Sequence, residues 1–65
     1  NLAEAALVIA AEEYRDRAGI YLGLECFRAA LADLRHYLLL RPEADDADTM
    51  RRKAAELEPL AARLN

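Results

Sequence analysis

The stretch Cys26–Pro42, CFRAALADLRHYLLLRP, decides the fold of this chain. Its apolar residues recur at intervals of three and four, which places them on one continuous face of an α-helix. These residues are Phe27, Ala30, Leu31, Leu34 and Leu38. Because proline disfavours helical conformation in the residue before it, Pro42 predicts that the helix ends at Leu40 or Arg41. The stretch therefore predicts an amphipathic helix from about Phe27 to Leu40.

The composition of the whole chain favours a small all-α domain. The chain has 65 residues, 55% of them apolar, with only two glycines and two prolines. A chain this short buries only about 60% of the surface that its unfolded form exposes. Cys26 is the only cysteine and His36 the only histidine, so neither disulfides nor a metal cluster can add stability. We therefore expect closely packed helices of modest stability.

Two helical segments are predicted before Phe27. Residues 1–10 have the periodicity of the end of a preceding helix, and the absence of an initial methionine suggests a piece of a longer protein. A second helix is predicted from about Ala11 to Leu24, because two glutamates at its start would meet the positive end of the helix dipole. Its inward face carries Tyr14, Ala18 and Tyr21. With the helix after it, this segment predicts a hairpin over residues 11–42.

A last helix is predicted over residues 46–65, after an acidic loop. Asp45 or Asp46 is the expected N-cap, since aspartate favours that position. Pro59 removes the hydrogen bond to the carbonyl of Ala55, so we expect a kink there or an end near Glu58. The polar side chains of this helix suit the outer surface of a capping helix. They are Arg51, Arg52, Lys53, Glu56 and Glu58.

This helical pattern resembles the tetratricopeptide repeat, in which a helix A and a helix B form an antiparallel hairpin. The matching positions are Tyr14, Ala18 and Tyr21 in helix A, Phe27, Ala30 and Leu34 in helix B, and the closing Pro42. Glu25 replaces the usual turn glycine, and Tyr37 fills a position normally held by alanine. Starts near residues 12 and 46 are close to the ~34-residue period of such repeats. The resemblance implies about four helices in hairpins and a role in binding other proteins.

A longer stretch, Arg15–Asp48, is similar to the C-terminal helical region of the SirB1 family, which comprises bacterial proteins with an upstream transglutaminase-like domain. Its sequence is RDRAGIYLGLECFRAALADLRHYLLLRPEADDAD. This similarity implies that the chain is the C-terminal appendage of a larger bacterial protein. It also implies that any cysteine-based activity belongs to the upstream domain.

Arg15, Gly19 and Leu22 are the predicted partner-binding residues. Their spacing of four and three places them on one helix face, rotated away from Tyr14 and Tyr21. In tetratricopeptide stacks the A helices line a concave groove that receives peptides. Arg15 would offer a fork for a carboxylate, Gly19 open backbone and Leu22 an apolar contact. The alternative is that a neighbouring helix of the same protein covers this face.

Leu39 and Leu40 are the predicted self-association residues. Successive helical residues lie 100° apart, so Leu38, Leu39 and Leu40 cannot all face the first helix of the hairpin. Leu39 or Leu40 must instead meet the last helix, the first segment or another chain. This leaves open a structural role, in which the segment docks on its own upstream domain or forms a homodimer.

Other function classes are disfavoured by the sequence. The net charge of −3 argues against nucleic-acid binding, and no apolar run approaches the ~20 residues that span a membrane. Cys26 lacks a nearby base, since His36 lies ~15 Å further along the helix, so we expect no catalytic residue. Neither a metal nor another cofactor is implied. A single cysteine suits a reducing, cytoplasmic location.

Overall fold

The computed structural model describes residues 1–63, which form three helices and no strand. The helices are α1 (Leu2–Gly23), α2 (Phe27–Leu40) and α3 (Ala47–Ala62). Helix α2 lies in the middle, because it packs against both α1 and α3. The molecule is elongated, with extents of 42 × 19 × 16 Å. The all-α prediction is thus confirmed, whereas the expectation of about four helices was one helix too many.

The first two predicted segments are one continuous helix. Residues 1–10 and the segment from Ala11 both lie within α1, so the expected break between them was wrong. No glycine or proline interrupts the chain before Gly19, and glutamates are as well accommodated on an exposed helix face as at a helix start. The helix begins instead at Asn1, whose Oδ1 accepts a hydrogen bond of 2.9 Å from the amide of Glu4.

Helix α2 has the bounds that the sequence predicts. It crosses α1 closely at Ala30. Ala30 is fully buried, and Ala18 of α1 is 1% exposed. Their small side chains let the two helix backbones approach. Both alanines belong to the hydrophobic core. Its buried residues are Ala18, Ala30, Leu31, Leu34, Ala54, Leu57 and Ala61. The short connection before α2 contains Glu25 with a φ of 58°, a left-handed conformation that glycine adopts more easily.

Helix α3 continues through Pro59 to Ala62, so the alternative of an end near Glu58 was wrong. The carbonyl of Ala55, which loses its partner to the proline, belongs to an exposed residue and can bond to water. The predicted extent of this helix to residues 64–65 lies outside the described residues. No helix in the described part of the chain is long and apolar enough to cross a membrane.

Candidate protein-binding groove

An ion pair between α1 and α2 fixes the hairpin. Arg17 donates from Nε and Nη2 to the two carboxylate oxygens of Asp33, each at 2.8 Å. The Asp33 side chain is only 4% exposed, and the Arg17 hydrogen bonds hold the pKa of this carboxyl below its usual range. The guanidinium carbon also lies 5.6 Å from the ring centre of Tyr14 and 5.8 Å from that of Tyr21. These contacts set how α1 lies on α2.

A second cluster, which we call the Asp46 junction, joins all three helices; it comprises Arg15, Tyr37 and Asp46. The buried Tyr37 on α2 donates its hydroxyl hydrogen to Asp46 at the start of α3. Arg15 Nη1 on α1 lies 3.2 Å from Asp46 Oδ2, and its guanidinium carbon lies 5.6 Å from the Tyr37 ring centre. The hydrogen bond from Tyr37 is the main cause that lowers the pKa of Asp46. Tyr37 thus orients the segment that enters α3.

The Asp46 junction explains two departures from expectation. Tyr37 stands where the repeat normally has alanine, and its ring fills the space between the helices, with only 2% of its surface exposed. Asp46, one of the two expected N-caps, occupies that position of α3, yet its side chain makes no capping hydrogen bond. Its carboxylate accepts from Tyr37 and Arg15 instead. The aspartate therefore acts in tertiary packing rather than as a local cap.

A concave groove of about 310 Å³ lies between α1 and α3. Its α1 wall includes Arg15, Gly19 and Leu22, so the structure brings together all three predicted binding residues. A Cβ atom on Gly19 would meet nothing within 4 Å, so the backbone there is open to a ligand. The remaining lining residues are Asp16 and Ala18 of α1, Leu34 of α2, and Met50 and Lys53 of α3. An apolar centre with a polar rim is the usual make-up of a protein-binding surface.

The charged groups of the groove differ in their availability. Arg15, the predicted carboxylate fork, already pairs with two carboxylates of its own chain, Asp46 at 3.2 Å and Asp16 at 3.3 Å. Lys53 is exposed and forms no ion pair or hydrogen bond with any residue of the range 1–63. The cation that is free to meet a partner carboxylate is therefore Lys53, and Arg15 maintains the helix arrangement.

Local sequence patterns alone do not indicate Met50 and Lys53 as groove residues. The pattern of α3 predicts instead that Lys53 lies, with its basic neighbours, on the outer face of a capping helix. The signal that would have found them is the internal repeat. Ala47 and Ala54, both buried on α3, repeat the spacing of the buried Ala11 and Ala18 on α1. Aligning these alanines makes α3 the helix A of a following repeat, which places part of it along the same groove as α1.

The two predicted self-association residues lie elsewhere, on α2. Leu39 is 79% exposed, whereas Leu40 is half-buried. Leu39, Leu38 and Arg35 line a shallow concavity of about 350 Å³. At this exposure, neither the last helix nor the first segment covers Leu39.

The remaining candidate residues have ordinary surroundings. Cys26 is exposed, and its sulfur lies 3.8 Å from the carbonyl oxygen of Leu24. His36 stacks on Tyr14 with ring centres 4.8 Å apart, and its Nδ1 lies 3.0 Å from the carbonyl oxygen of Ala32. No group of histidine, cysteine and acidic side chains within residues 1–63 could hold a metal ion.

Comparison with known proteins gives one family match. No curated protein and no solved structure matches the chain significantly. The family model described as a tetratricopeptide repeat matches residues 9–55. This range takes in the Arg17–Asp33 ion pair, the Asp46 junction and the whole lining of the groove. Because the match covers most of the chain and agrees with the helix hairpins, the chain belongs to the tetratricopeptide repeat family.

Proposed function

We propose that this chain is a non-catalytic protein-interaction module that binds a peptide segment of its partner in the groove between α1 and α3. Tetratricopeptide repeats generally mediate protein–protein interaction and are typically non-catalytic. The observation that carries the proposal is the convergence of Arg15, Gly19 and Leu22 with Met50 and Lys53 around one concave surface. An extended segment could lie against the open backbone at Gly19.

The chemistry of the groove defines the segment that fits it. Leu22 and Met50, both half-buried, offer apolar contact to an aliphatic side chain. The unpaired ammonium of Lys53 can donate a hydrogen bond to a carboxylate, and a charge-assisted hydrogen bond of this kind is stronger than a neutral one. The proposed ligand is therefore a peptide in which an acidic residue stands close to an aliphatic one.

The test begins with peptides selected on the wild-type chain from a random peptide library. Three variants are then compared: Gly19→Leu, which fills the groove, Lys53→Glu, which reverses its free charge, and Gly23→Leu as a matched control. Gly19 and Gly23 lie on the same helix, and in both cases the space around an added Cβ is empty. The two leucine variants therefore differ in the groove rather than in backbone strain.

We expect the selected peptides to bind Gly23→Leu as well as wild type and to lose affinity for the other two variants. Loss of one ion pair and its contacts at Lys53 should weaken binding about tenfold. Equal binding to all four proteins, or no enrichment of peptides at all, would contradict the proposal. Arg15→Glu is unsuitable here, because it would also break the Asp46 junction.

The exposure of Leu39 supports a second candidate function, that of a purely structural segment. In this role, Leu39 and Leu40 would pack on the upstream transglutaminase-like domain of a bacterial, cytoplasmic protein of the SirB1 type, or on a second copy. The test is sedimentation equilibrium of the wild type and of Leu39→Ser. A concentration-dependent dimer that the serine variant abolishes would favour the homodimer. A monomer, with melting unchanged by an added upstream domain, would exclude this function.

A further inference from the structure

A second surface of α1, which we call the outer stripe, shares only Asp16 with the groove. It comprises Leu2, Ile9, Glu13, Asp16 and Ile20, spaced by seven, four, three and four residues. At 100° per residue these positions share one side of the helix. Leu2 is 89% exposed, Ile9 59% and Ile20 64%, so this side faces away from α2. Three large apolar side chains in one row are more than a solvated helix face requires.

The centre of the outer stripe is acidic. Glu13 and Asp16 lie between the two isoleucines, and both are exposed. Glu13 has no ion pair or hydrogen bond among residues 1–63. Asp16 pairs only with Arg15, at 3.3 Å, and Arg15 also neutralises Asp46. The centre of the stripe therefore carries excess negative charge. The apolar residues on either side of it, Ile9 and Ile20, lie about 16 Å apart along the helix.

This pattern excludes a second copy of α1 as a good occupant. In an antiparallel pair, the register that places Ile9 against Ile20 also places Glu13 against Asp16. In a parallel pair each carboxylate meets its own counterpart. Both arrangements bring like charges together in a desolvated interface, which strongly disfavours association.

We propose that the outer stripe binds a helix of a partner protein that carries two basic residues between two apolar ones. The complementary helix has apolar residues eleven positions apart, with lysine or arginine at the fourth and seventh positions after the first. Because the spacing of four, three and four is symmetric, the fit is the same in either direction. The apolar ends supply contact area and the basic centre supplies specificity.

The surface is independent of the peptide groove. Asp16 is the one residue that belongs to both, and the isoleucines point away from the Gly19 face. A partner helix on the outer stripe would therefore leave the groove open.

The experiment uses two alanine-based peptides of about 20 residues, long enough to be helical alone. They share the apolar positions and differ only at the two central ones, which are arginine in one peptide and glutamate in the other. Binding to the intact chain is measured by fluorescence anisotropy. The variants are Glu13→Lys with Asp16→Lys, Glu13→Lys alone, and Ile9→Ser with Ile20→Ser. Leu39→Ser is the control for an exposed leucine off the stripe, and Gly19→Leu the control for the groove.

We expect the arginine peptide to bind about tenfold more tightly than the glutamate peptide at low salt, since two ion pairs replace two repulsions. The double lysine variant should reverse this preference, and Glu13→Lys alone should remove it. The serine variant should bind neither peptide. Both control variants should behave as wild type. Circular dichroism checks folding, and Glu13→Lys alone suffices if the double charge reversal unfolds the chain.

Equal affinity for the two peptides, binding of neither, or equal loss in the control variants would overturn the proposal. The last measurement is the oligomeric state of the chain without peptide, determined by sedimentation equilibrium. A dimer that Ile9→Ser with Ile20→Ser dissociates would make a second copy the occupant and would also overturn it. The groove variant Gly19→Leu separates the two proposals. A negative result for the outer stripe therefore does not bear on peptide binding in the groove, which is tested separately.

Discussion

Replacing Tyr37 by phenylalanine removes one hydroxyl group from the Asp46 junction and leaves the ring in place. The lost hydrogen bond has a charged acceptor, and such bonds contribute about 1.5–3 kcal/mol. The Asp46 side chain is 33% exposed and keeps its ion pair with Arg15, so the lower end applies. We therefore expect the free energy of unfolding to fall by about 1.5 kcal/mol.

This loss should be easy to measure in so small a domain. Typical stabilities of ~0.05–0.15 kcal/mol per residue give roughly 3–10 kcal/mol for a chain of this length. The variant should therefore melt roughly 6–12 °C lower. The assay is urea and thermal unfolding followed by circular dichroism at the helix band. Tyr14→Phe is the matched control, because the Tyr14 hydroxyl makes no hydrogen bond with any part of residues 1–63.

A second readout separates the hydrogen bond from packing. Since the Tyr37 hydroxyl is the main cause of the low pKa of Asp46, Tyr37→Phe should raise the pKa of that carboxyl toward its ordinary value. Titration of the Asp46 carboxyl carbon by NMR measures this directly. The reasoning is refuted if Tyr37→Phe is as stable as Tyr14→Phe and the pKa of Asp46 does not move.

Three further predictions concern stability. The pKa of Asp33 is lowered in the folded state by its hydrogen bonds from Arg17, so its stabilising effect is present above its unfolded pKa of about 4 and is lost as the pH falls through the folded value. The urea concentration at the midpoint of unfolding should therefore decrease as the pH is lowered below about 4, and Asp33→Asn should make this decrease less steep. An equally steep decrease in the variant would contradict the prediction. Glu25→Gly should stabilise the chain by about 1 kcal/mol in urea unfolding, because glycine adopts the φ of 58° without strain, and a destabilised variant would contradict this. Pro59→Ala should raise the free energy of unfolding by about 1–2 kcal/mol, because it restores a hydrogen bond to the carbonyl of Ala55; an unchanged melting temperature would argue against it.

The part of the fold that could be predicted from the sequence is the part that local patterns determine. Helix α2 has its predicted bounds because an apolar face and Pro42 specify both its orientation and its end. The break expected before Ala11 was wrong because acidic residues are only a weak signal of a helix start. The alternative of an end near Glu58 was likewise wrong, because a proline in the last turn of a helix costs only one hydrogen bond on an exposed face.

The candidate groove was predictable on one side only. Arg15, Gly19 and Leu22 follow from helical spacing within α1, whereas Met50 and Lys53 reach the groove through the packing of α3 on α2. That packing depends on contacts between residues distant in sequence. Local spacing carries no information on such pairs, so the ion pair between Arg15 and Asp46 could not be predicted.

The length of α1 has a consequence for its local stability. No residue before Ala11 is buried, so residues 2–10 depend on intrinsic helix propensity, and an isolated helix of such length is marginal in water. Amide hydrogens there should exchange through fraying, with low protection and little dependence on urea, whereas those around Ala18 should exchange only on global opening. Hydrogen exchange followed by NMR measures both, and uniform protection along α1 would contradict this view. We therefore expect α1, although one continuous helix, to behave as two cooperative units, and a ligand bound at Leu2 and Ile9 to slow exchange in residues 2–10.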